Sequence, residues 1–89
     1  MKIKLELFGA SRDFSSKDHL ELEIKDKSSV NDLRNEIIKY INQNFSGNEN
    51  FIRVVKSSVF CSENNEIISD NYKITKDQKI GIIPPIGGG

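Results

Sequence analysis

The sequence predicts an α+β domain in which a mixed sheet folds over one main helix, and three patterns predict it. Two segments near the N-terminus alternate apolar and polar residues, as half-buried strands do. From residue 30 the apolar period becomes that of a helix, and short apolar segments and a last alternating segment follow. Because strands precede and follow a single helix without strand–helix alternation, we expect one mixed sheet of about five strands.

The first two strands are expected to pair as an antiparallel hairpin. Every second residue from Ile3 to Leu7 is apolar, whereas Phe8 falls on the opposite face. In the second strand every second residue over 20–24 is apolar. The segment 9–18 between them is polar and rich in turn residues, which favours a direct connection.

A capping box predicts where the helix begins. Ser29 supplies the N-cap hydroxyl, and Asp32 stands three residues later, where its carboxylate favours the positive end of the helix dipole. Gly47 indicates where the helix has ended. Polar residues that include Arg34 are expected to cover the solvent side. The apolar stripe that faces the core consists of Val30, Leu33, Ile37 and Ile41, with Phe45 as a further candidate.

Short strands are expected in the second half of the chain. The segment 51–55 is interpreted either as a strand or as a loop packed by its apolar residues. Residues 59–61 and 66–68 are predicted strands separated by a turn signal, and the last strand covers 79–83. The two prolines that follow end this strand, because neither can donate a backbone hydrogen bond.

Length and charge restrict the class of function. The 89 residues predict one small domain, with room for a modest core but not for an interior cleft. Thirteen basic and thirteen acidic residues give zero net charge, which argues against nucleic acid or an anionic membrane as the main partner. No apolar run approaches the length of a membrane span, and we expect no signal peptide. The single cysteine favours the reducing cytoplasm.

The sequence gives little support for catalytic residues within this chain. The single histidine, His19, is expected on the polar face of a strand as a solvated surface residue. Cys61 has no histidine in a motif with it and is interpreted as a small buried apolar residue. We expect no metal site and no bound cofactor, because no group of ligands has a suitable spacing.

The unusual feature is the C-terminal tail, residues 84–89. Pro84 and Pro85 hold the exit from the last strand extended, and Ile86 leads to three glycines. Residues 86–89 reach roughly 13 Å at about 3.3 Å per residue. The tail is interpreted either as a frayed terminus or cloning remnant, or as a substrate handle. In the second interpretation an enzyme uses ATP to convert the poorly electrophilic carboxylate of Gly89 to an acyl-adenylate, and glycine fits a narrow site.

Three segments resemble the MoaD/ThiS family of ubiquitin-like sulfur carriers, and its molybdopterin-synthase branch in particular. They are LFGASR at 7–12, SVNDLR at 29–34 and IGIIPPIGGG at 80–89. The resemblance covers nearly the whole chain. A Pro-Pro pair separated by two residues from a terminal Gly-Gly is typical of the molybdopterin branch, whereas a terminal double glycine alone is common to ubiquitin-like carriers. Asp77-Gln78 stands where the family usually has Gly-Asp.

The resemblance implies a ubiquitin-like β-grasp domain at 1–83 and a functional tail at 84–89. It implies that an adenylyltransferase related to ubiquitin-activating enzymes adenylates Gly89 with ATP, and that a sulfur donor then gives the thiocarboxylate. The tail, with Pro84, Pro85, Ile86, Gly87 and Gly88, would enter the large subunit of molybdopterin synthase. There the sulfur would pass to cyclic pyranopterin monophosphate within a heterotetramer.

Four residues are expected at the partner interface. Phe8 and Ile83 fall on the faces opposite the core residues of their strands, and Ile67 and Ile68 cannot both face inward. Family members use hydrophobic positions that match Phe8, Ile67 and Ile83 for docking, although packing against loops is the alternative. Arg12 matches a commonly basic position, and its role as a structural or a contact residue stays open.

Other functions fit parts of the same pattern. The chain would be a protein modifier if Gly89 formed isopeptide bonds with lysines, and a thiamine-pathway carrier would use the same thiocarboxylate. A β-grasp interaction module would need no function for its glycines. The proline pair favours the molybdopterin carrier.

Overall fold

The strands form one mixed five-stranded sheet in a computed structural model that describes residues 1–85. They are β1 (Lys2–Leu7), β2 (His19–Glu23), β3 (Val59–Cys61), β4 (Ile67–Ile68) and β5 (Gln78–Ile83), in the spatial order β2-β1-β5-β3-β4. β1 pairs antiparallel with β2 and parallel with β5, and β3 pairs antiparallel with β4 and β5. The predicted hairpin and mixed sheet are confirmed.

Helix α1 (Val30–Asn44) begins at the predicted capping box. The Ser29 hydroxyl accepts a hydrogen bond from the Asp32 N–H at 3.1 Å, and the Asp32 carboxylate accepts one from the Ser29 N–H at 2.9 Å. Val30, Leu33, Ile37 and Ile41 of the predicted stripe are fully buried, whereas the further candidate Phe45 is half-buried. The core consists of Ile3, Leu5, Leu7, Phe14, Leu20, Ile24, Val30, Leu33, Ile37, Ile41, Val55, Phe60, Ile74, Ile80 and Ile82.

A second helix, α2 (Glu49–Ser57), replaces the strand or loop expected at 51–55, and that expectation was wrong. The side chain of Asn48 caps the helix by accepting hydrogen bonds from the N–H groups of Asn50 and Phe51. Val55 is fully buried in the main core. Neither helix in residues 1–85 combines the length and the apolarity that crossing a membrane requires.

An aromatic cluster holds α2 against the rest of the domain. The ring of Phe51 lies 5.2 Å from that of Phe14 and 5.0 Å from that of Phe45, centroid to centroid. The hydroxyl of Tyr40 donates to the carbonyl of Phe14 at 2.8 Å. Such ring pairs add about 0.5–1.5 kcal/mol each beyond the area they bury. The cluster therefore fixes α2 to α1 and to the segment after β1.

That segment, which the sequence predicts as a polar connection, forms a 3-10 helix over Gly9–Phe14. Phe14, which the sequence placed in a polar connection, is fully buried. Ser11 is also buried, and its hydroxyl donates to the carbonyl of Phe8 at 2.7 Å while accepting from the Phe8 N–H at 2.9 Å. These bonds fix the backbone at the end of β1.

Candidate functional site

The face of the sheet opposite α1 carries a continuous group of apolar residues near the C-terminal end of β5. Val59 pairs with Ile83, and Cys61 pairs with both Gly81 and Ile67. Paired residues lie on the same face, and the intervening residues are the ones that turn toward the helix. We call this group the apolar face: Phe8, Val59, Cys61, Ile67, Gly81 and Ile83.

Three large side chains of the apolar face are exposed. The exposed fraction is 44% for Phe8, 46% for Val59 and 64% for Ile67, while Ile83 is half-buried. The predicted exposure of Phe8 and Ile67 is confirmed, whereas their part in a partner interface stays a prediction. Sequence reasoning missed Val59, although its alternation with the buried Phe60 is a signal that places it on this face.

The apolar face depends on the missing side chain of Gly81. A Cβ atom built at Gly81 would lie 2.7 Å from Cys61 Sγ and 3.0 Å from Phe8 Cε2. The Phe8 ring therefore lies against the backbone of Gly81, with the Cys61 sulfur beside it. Cys61 is only 7% exposed, which agrees with its interpretation as a small buried apolar residue.

The turn after Phe8 connects the apolar face to the start of the tail. Gly9 has a left-handed backbone with φ +54°, a conformation that favours glycine. A Cβ atom at Gly9 would lie 3.8 Å from Pro84 Cδ, so the turn and the first tail proline are neighbours. One segment, 8–11, thus positions the Phe8 ring and also contacts the point where the chain leaves the sheet.

The tail begins as an extension of β5. Pro84 is buried and Pro85 is exposed, so the contact between tail and domain reaches Pro84. Residues 86–89, predicted to enter a partner and to carry the reactive carboxylate, lie outside the described residues. The division into a domain at 1–83 and a tail at 84–89 and the function assigned to Gly89 therefore stay predictions.

Arg12 lies on the exposed side of the 3-10 helix. It shares a shallow depression with Glu6, Leu7, Phe8 and Asp18 at the end of β1. Within residues 1–85 its guanidinium makes no ion pair. Arg12 thus borders the apolar face at Phe8, and its role in partner contact stays a prediction.

His19 is less exposed than the sequence suggests. Its side chain is 21% exposed, and its Nδ1 atom lies 2.9 Å from Asp18 Oδ1. This hydrogen bond is the main reason why the pKa of Asp18 is lower than usual. Among residues 1–85 no three His, Cys, Asp or Glu side chains are grouped so that they could hold a metal ion.

A mixed five-stranded sheet over one main helix, with an apolar face beside the exit of the C-terminal segment, defines a ubiquitin-like β-grasp protein. Within this class, the family model of the ThiS family matches residues 5–89. The chain belongs to the ThiS family.

Three solved structures share the fold of this chain. A Pyrococcus furiosus protein provisionally named molybdopterin converting factor, subunit 1, is 23% identical with a TM-score of 0.67 and matches over 96% of this chain and 98% of that one. SAMP1 from Haloferax volcanii is 12% identical with a TM-score of 0.68, over 100% of both chains. Caldiarchaeum subterraneum ubiquitin is 16% identical with a TM-score of 0.62, over 100% of this chain and 98% of that one.

At these identities the structural likeness concerns the fold. None of the curated proteins matches the sequence significantly. The family match and the fold together place the chain among ubiquitin-like proteins of the ThiS family.

Proposed function

We propose that the chain is a sulfur carrier for molybdopterin synthesis and that Gly89 carries the sulfur as a thiocarboxylate. The observation that supports this most directly is the position of the apolar face. Phe8 and Ile83 lie at the end of β1 and β5, where Pro84 and Pro85 lead the chain out of the sheet. A partner that covers these side chains is thereby placed to receive residues 86–89.

The exposed apolar residues favour docking of a protein partner. Monomeric proteins rarely leave large contiguous apolar patches in water, and such patches commonly mark binding sites. Phe8, Val59 and Ile67 are all more than 40% exposed and share one face of the sheet. Aromatic and aliphatic anchors of this kind supply most of the binding energy of an interface.

The proposed chemistry takes place on the terminal carboxylate and uses catalytic groups of partner proteins. The Gly89 carboxylate attacks the α-phosphorus of ATP in an activating enzyme, which forms the acyl-adenylate and releases pyrophosphate. A sulfide-level sulfur from a donor then displaces AMP and gives the thiocarboxylate. The thiocarboxylate sulfur then attacks a carbon of the pterin precursor and displaces an oxygen leaving group from it. Water finally cleaves the acyl–sulfur bond, which leaves the sulfur on the pterin and restores the Gly89 carboxylate. The carrier itself needs no bound cofactor.

The proposed partners follow from the family. MoaD-like proteins act with a large synthase subunit, and the P. furiosus neighbour is itself named as a subunit. We propose that this chain forms a heterotetramer with such a subunit in the cytoplasm. The precursor would be cyclic pyranopterin monophosphate, held in the large subunit where the tail enters.

Intact-mass spectrometry of the full chain tests the proposal. The protein is incubated with ATP, an activating enzyme of the ubiquitin-activating kind and a sulfur donor, and then with the large subunit and the pterin precursor. We expect the mass to rise by the exchange of one oxygen for sulfur at Gly89, and to return when the precursor is consumed. A chain without Gly89 is the control and should show neither change.

The likeness to SAMP1 and ubiquitin makes protein modification the second candidate. Conjugates that join Gly89 to lysines, without exchange of oxygen for sulfur, would favour a modifier. A thiocarboxylate that forms but is not consumed by the molybdopterin partner would leave the carrier class intact and contradict the molybdopterin assignment. The thiamine-pathway carrier would then be the better assignment.

A further inference from the structure

We propose that the open edge of β2 binds an extended segment of a partner chain, which adds to the sheet as a further strand. The side chains of this segment would alternate between basic and apolar. The site is separate from the apolar face and does not depend on the function proposed for the tail.

The hydrogen bonds of the β1–β2 hairpin show which backbone groups of β2 are free. Met1 and Ile24 exchange backbone bonds of 2.7 and 2.9 Å, and the Leu7 N–H donates to the carbonyl of Asp18 at 3.0 Å. Bonded pairs recur at every second residue of an antiparallel ladder. The even-numbered residues from 18 to 24 therefore face β1.

The odd-numbered residues of β2 point their backbone groups outward. These are His19, Glu21 and Glu23, and β2 is the terminal strand of the sheet. No residue of the part of the chain that the structure describes bonds to their N–H or C=O groups. Free edges of this kind pair with added strands, and main-chain hydrogen bonds then supply the affinity.

The existing partner of β2 indicates which side chains the free edge accepts. In the hairpin register Lys2 lies opposite Glu23 and Lys4 lies opposite Glu21. Ile3 lies between these lysines and Leu5 follows them, and both side chains are fully buried toward α1. Residues 2–5 of β1 thus alternate between basic and apolar. A segment with the same alternation would place basic side chains beside Glu21 and Glu23 on the free edge as well, where opposite charges attract.

The inner side of the same edge offers apolar contacts. A groove runs between β2 and α1, and Leu22 and Tyr40 in its lining are both half-buried. Its charged lining residues are Glu21, Glu23, Glu36 and Lys39, which leaves an excess of negative charge. An apolar side chain of the added strand would cover Leu22 and the Tyr40 ring, while the acidic rim favours basic neighbours.

The same charges disfavour a second copy of this chain as the occupant. Antiparallel pairing of two β2 edges would bring glutamates of one copy beside those of the other, and like charges directly opposite destabilise a sheet. The occupant is therefore a basic partner segment. β1 and β5 separate β2 from β3 and β4, so the segment and a partner on the apolar face can bind together.

Nuclear magnetic resonance of the isotope-labelled full chain tests the site with an acetylated peptide, Lys-Val-Lys-Val-Lys-Val, as the probe. We expect saturable shifts centred on the amides of His19, Glu21 and Glu23, and slower hydrogen exchange at these amides. A peptide in which the backbone nitrogen of the central lysine is methylated keeps every side chain but lacks one N–H that faces the edge. It should bind about tenfold more weakly, as expected when an added strand loses a ladder bond.

Charge-neutral variants test the acidic rim without introducing a new charge. Glu21→Gln combined with Glu23→Gln should weaken binding of the peptide about fivefold, since two cross-strand charge pairs are lost. Glu66→Gln, an exposed glutamate beside β4 at the other edge, should leave binding unchanged. Four results would each overturn the proposal. They are unchanged amides at 19–23 with millimolar peptide, equal binding of the N-methylated peptide, shifts confined to the apolar face, and a dimer formed through β2.

Discussion

Arg34 joins three parts of the domain that are distant in sequence. Its guanidinium donates to the carbonyls of Val55 at 2.6 Å and Ser58 at 2.8 Å, at the end of α2, and to the Asp70 carboxylate at 2.7 Å. It also lies 4.9 Å from the centroid of the Phe60 ring. The sequence predicted Arg34 on the solvent side of α1, yet only 12% of its side chain is exposed. Periodicity gives the direction of a side chain but not the segment that will cover it.

Replacing Arg34 with methionine should lower the free energy of unfolding by about 2–4 kcal/mol, because the carbonyls that end α2 lose their donor. Urea unfolding followed by circular dichroism measures the change. Asp70→Asn should cost no more than about 1 kcal/mol, because Asp70 is 58% exposed and its ion pair is screened. Arg53→Ala, an exposed arginine on α2, is the matched control. An Arg34→Met protein as stable as this control would contradict the assigned role.

Asp32 makes stability depend on acid pH. The Ser29 N–H, and then the Ser29 hydroxyl, hold the pKa of Asp32 below its usual 3.8. A carboxyl group with a lowered pKa in the folded state stabilises the fold above its unfolded pKa, and this stabilisation is lost as the pH falls through the folded value. We therefore expect the urea concentration at the unfolding midpoint to decrease as the pH is lowered below about 4.

The Asp32→Asn protein should show a flatter fall over the same range, since asparagine does not titrate. Titration of the Asp32 carboxyl carbon by nuclear magnetic resonance checks the direction of the pKa directly. Equal slopes for both proteins would remove Asp32 as the cause, and a normal Asp32 midpoint would show that the cap bonds do not favour the charged form.

At the scale of elements, Gly81 of β5 allows the Cys61 sulfur of β3 and the Phe8 ring to approach the sheet backbone closely. Gly81→Ala should destabilise the domain by about 1–3 kcal/mol, because the new methyl would meet Cys61 Sγ at 2.7 Å. The exposed Phe8 ring can move away, whereas the nearly buried sulfur cannot. Urea unfolding of the variant measures the cost.

Cys61→Ala removes this sulfur and provides the control background. In that background Gly81→Ala should cost about 1 kcal/mol less, as residues in contact do not act additively. An identical cost in both backgrounds would show that the penalty comes from the backbone of β5 and not from the contact between Gly81 and Cys61.

The sequence predicted those elements in which the spacing of apolar residues repeats often enough to distinguish a strand from a helix. Alternation in β1, β2 and β5 and the stripe of α1 fixed the strands, the helix and the outward face of Phe8. α2 has only nine residues and contains Ile52, Val54 and Val55, which favour strands. Its docking depends on aromatic contacts between distant segments, and only the N-cap Asn48 followed by Glu49 signalled a helix. Nothing in the sequence indicates that Cys61 and Phe8 approach the backbone of Gly81 closely.

At the scale of the whole molecule, the proposed function separates into docking by the apolar face and chemistry at Gly89. In this proposal residues 1–85 supply the docking surface, on which Ile67 is the most exposed large apolar residue, and the tail supplies the reacting group. Docking and sulfur transfer should therefore be lost separately, each through its own substitution or deletion. Tyr72, 41% exposed beside the start of α1, provides a matched exposed residue outside the apolar face.

Ile67→Ser should change the free energy of unfolding by less than about 0.5 kcal/mol, since the side chain is mostly in water. Transfer of sulfur with the large subunit should nevertheless fall at least about tenfold, because an interface anchor is lost. Tyr72→Ser should leave transfer unchanged, and a chain without Gly89 should bind the subunit normally but accept no sulfur. Binding by calorimetry and transfer by mass spectrometry separate these effects. Full transfer by Ile67→Ser would reject docking through the apolar face. Sulfur on the chain without Gly89, which ends in the carboxylate of Gly88, would reject Gly89 as the residue that must carry the sulfur.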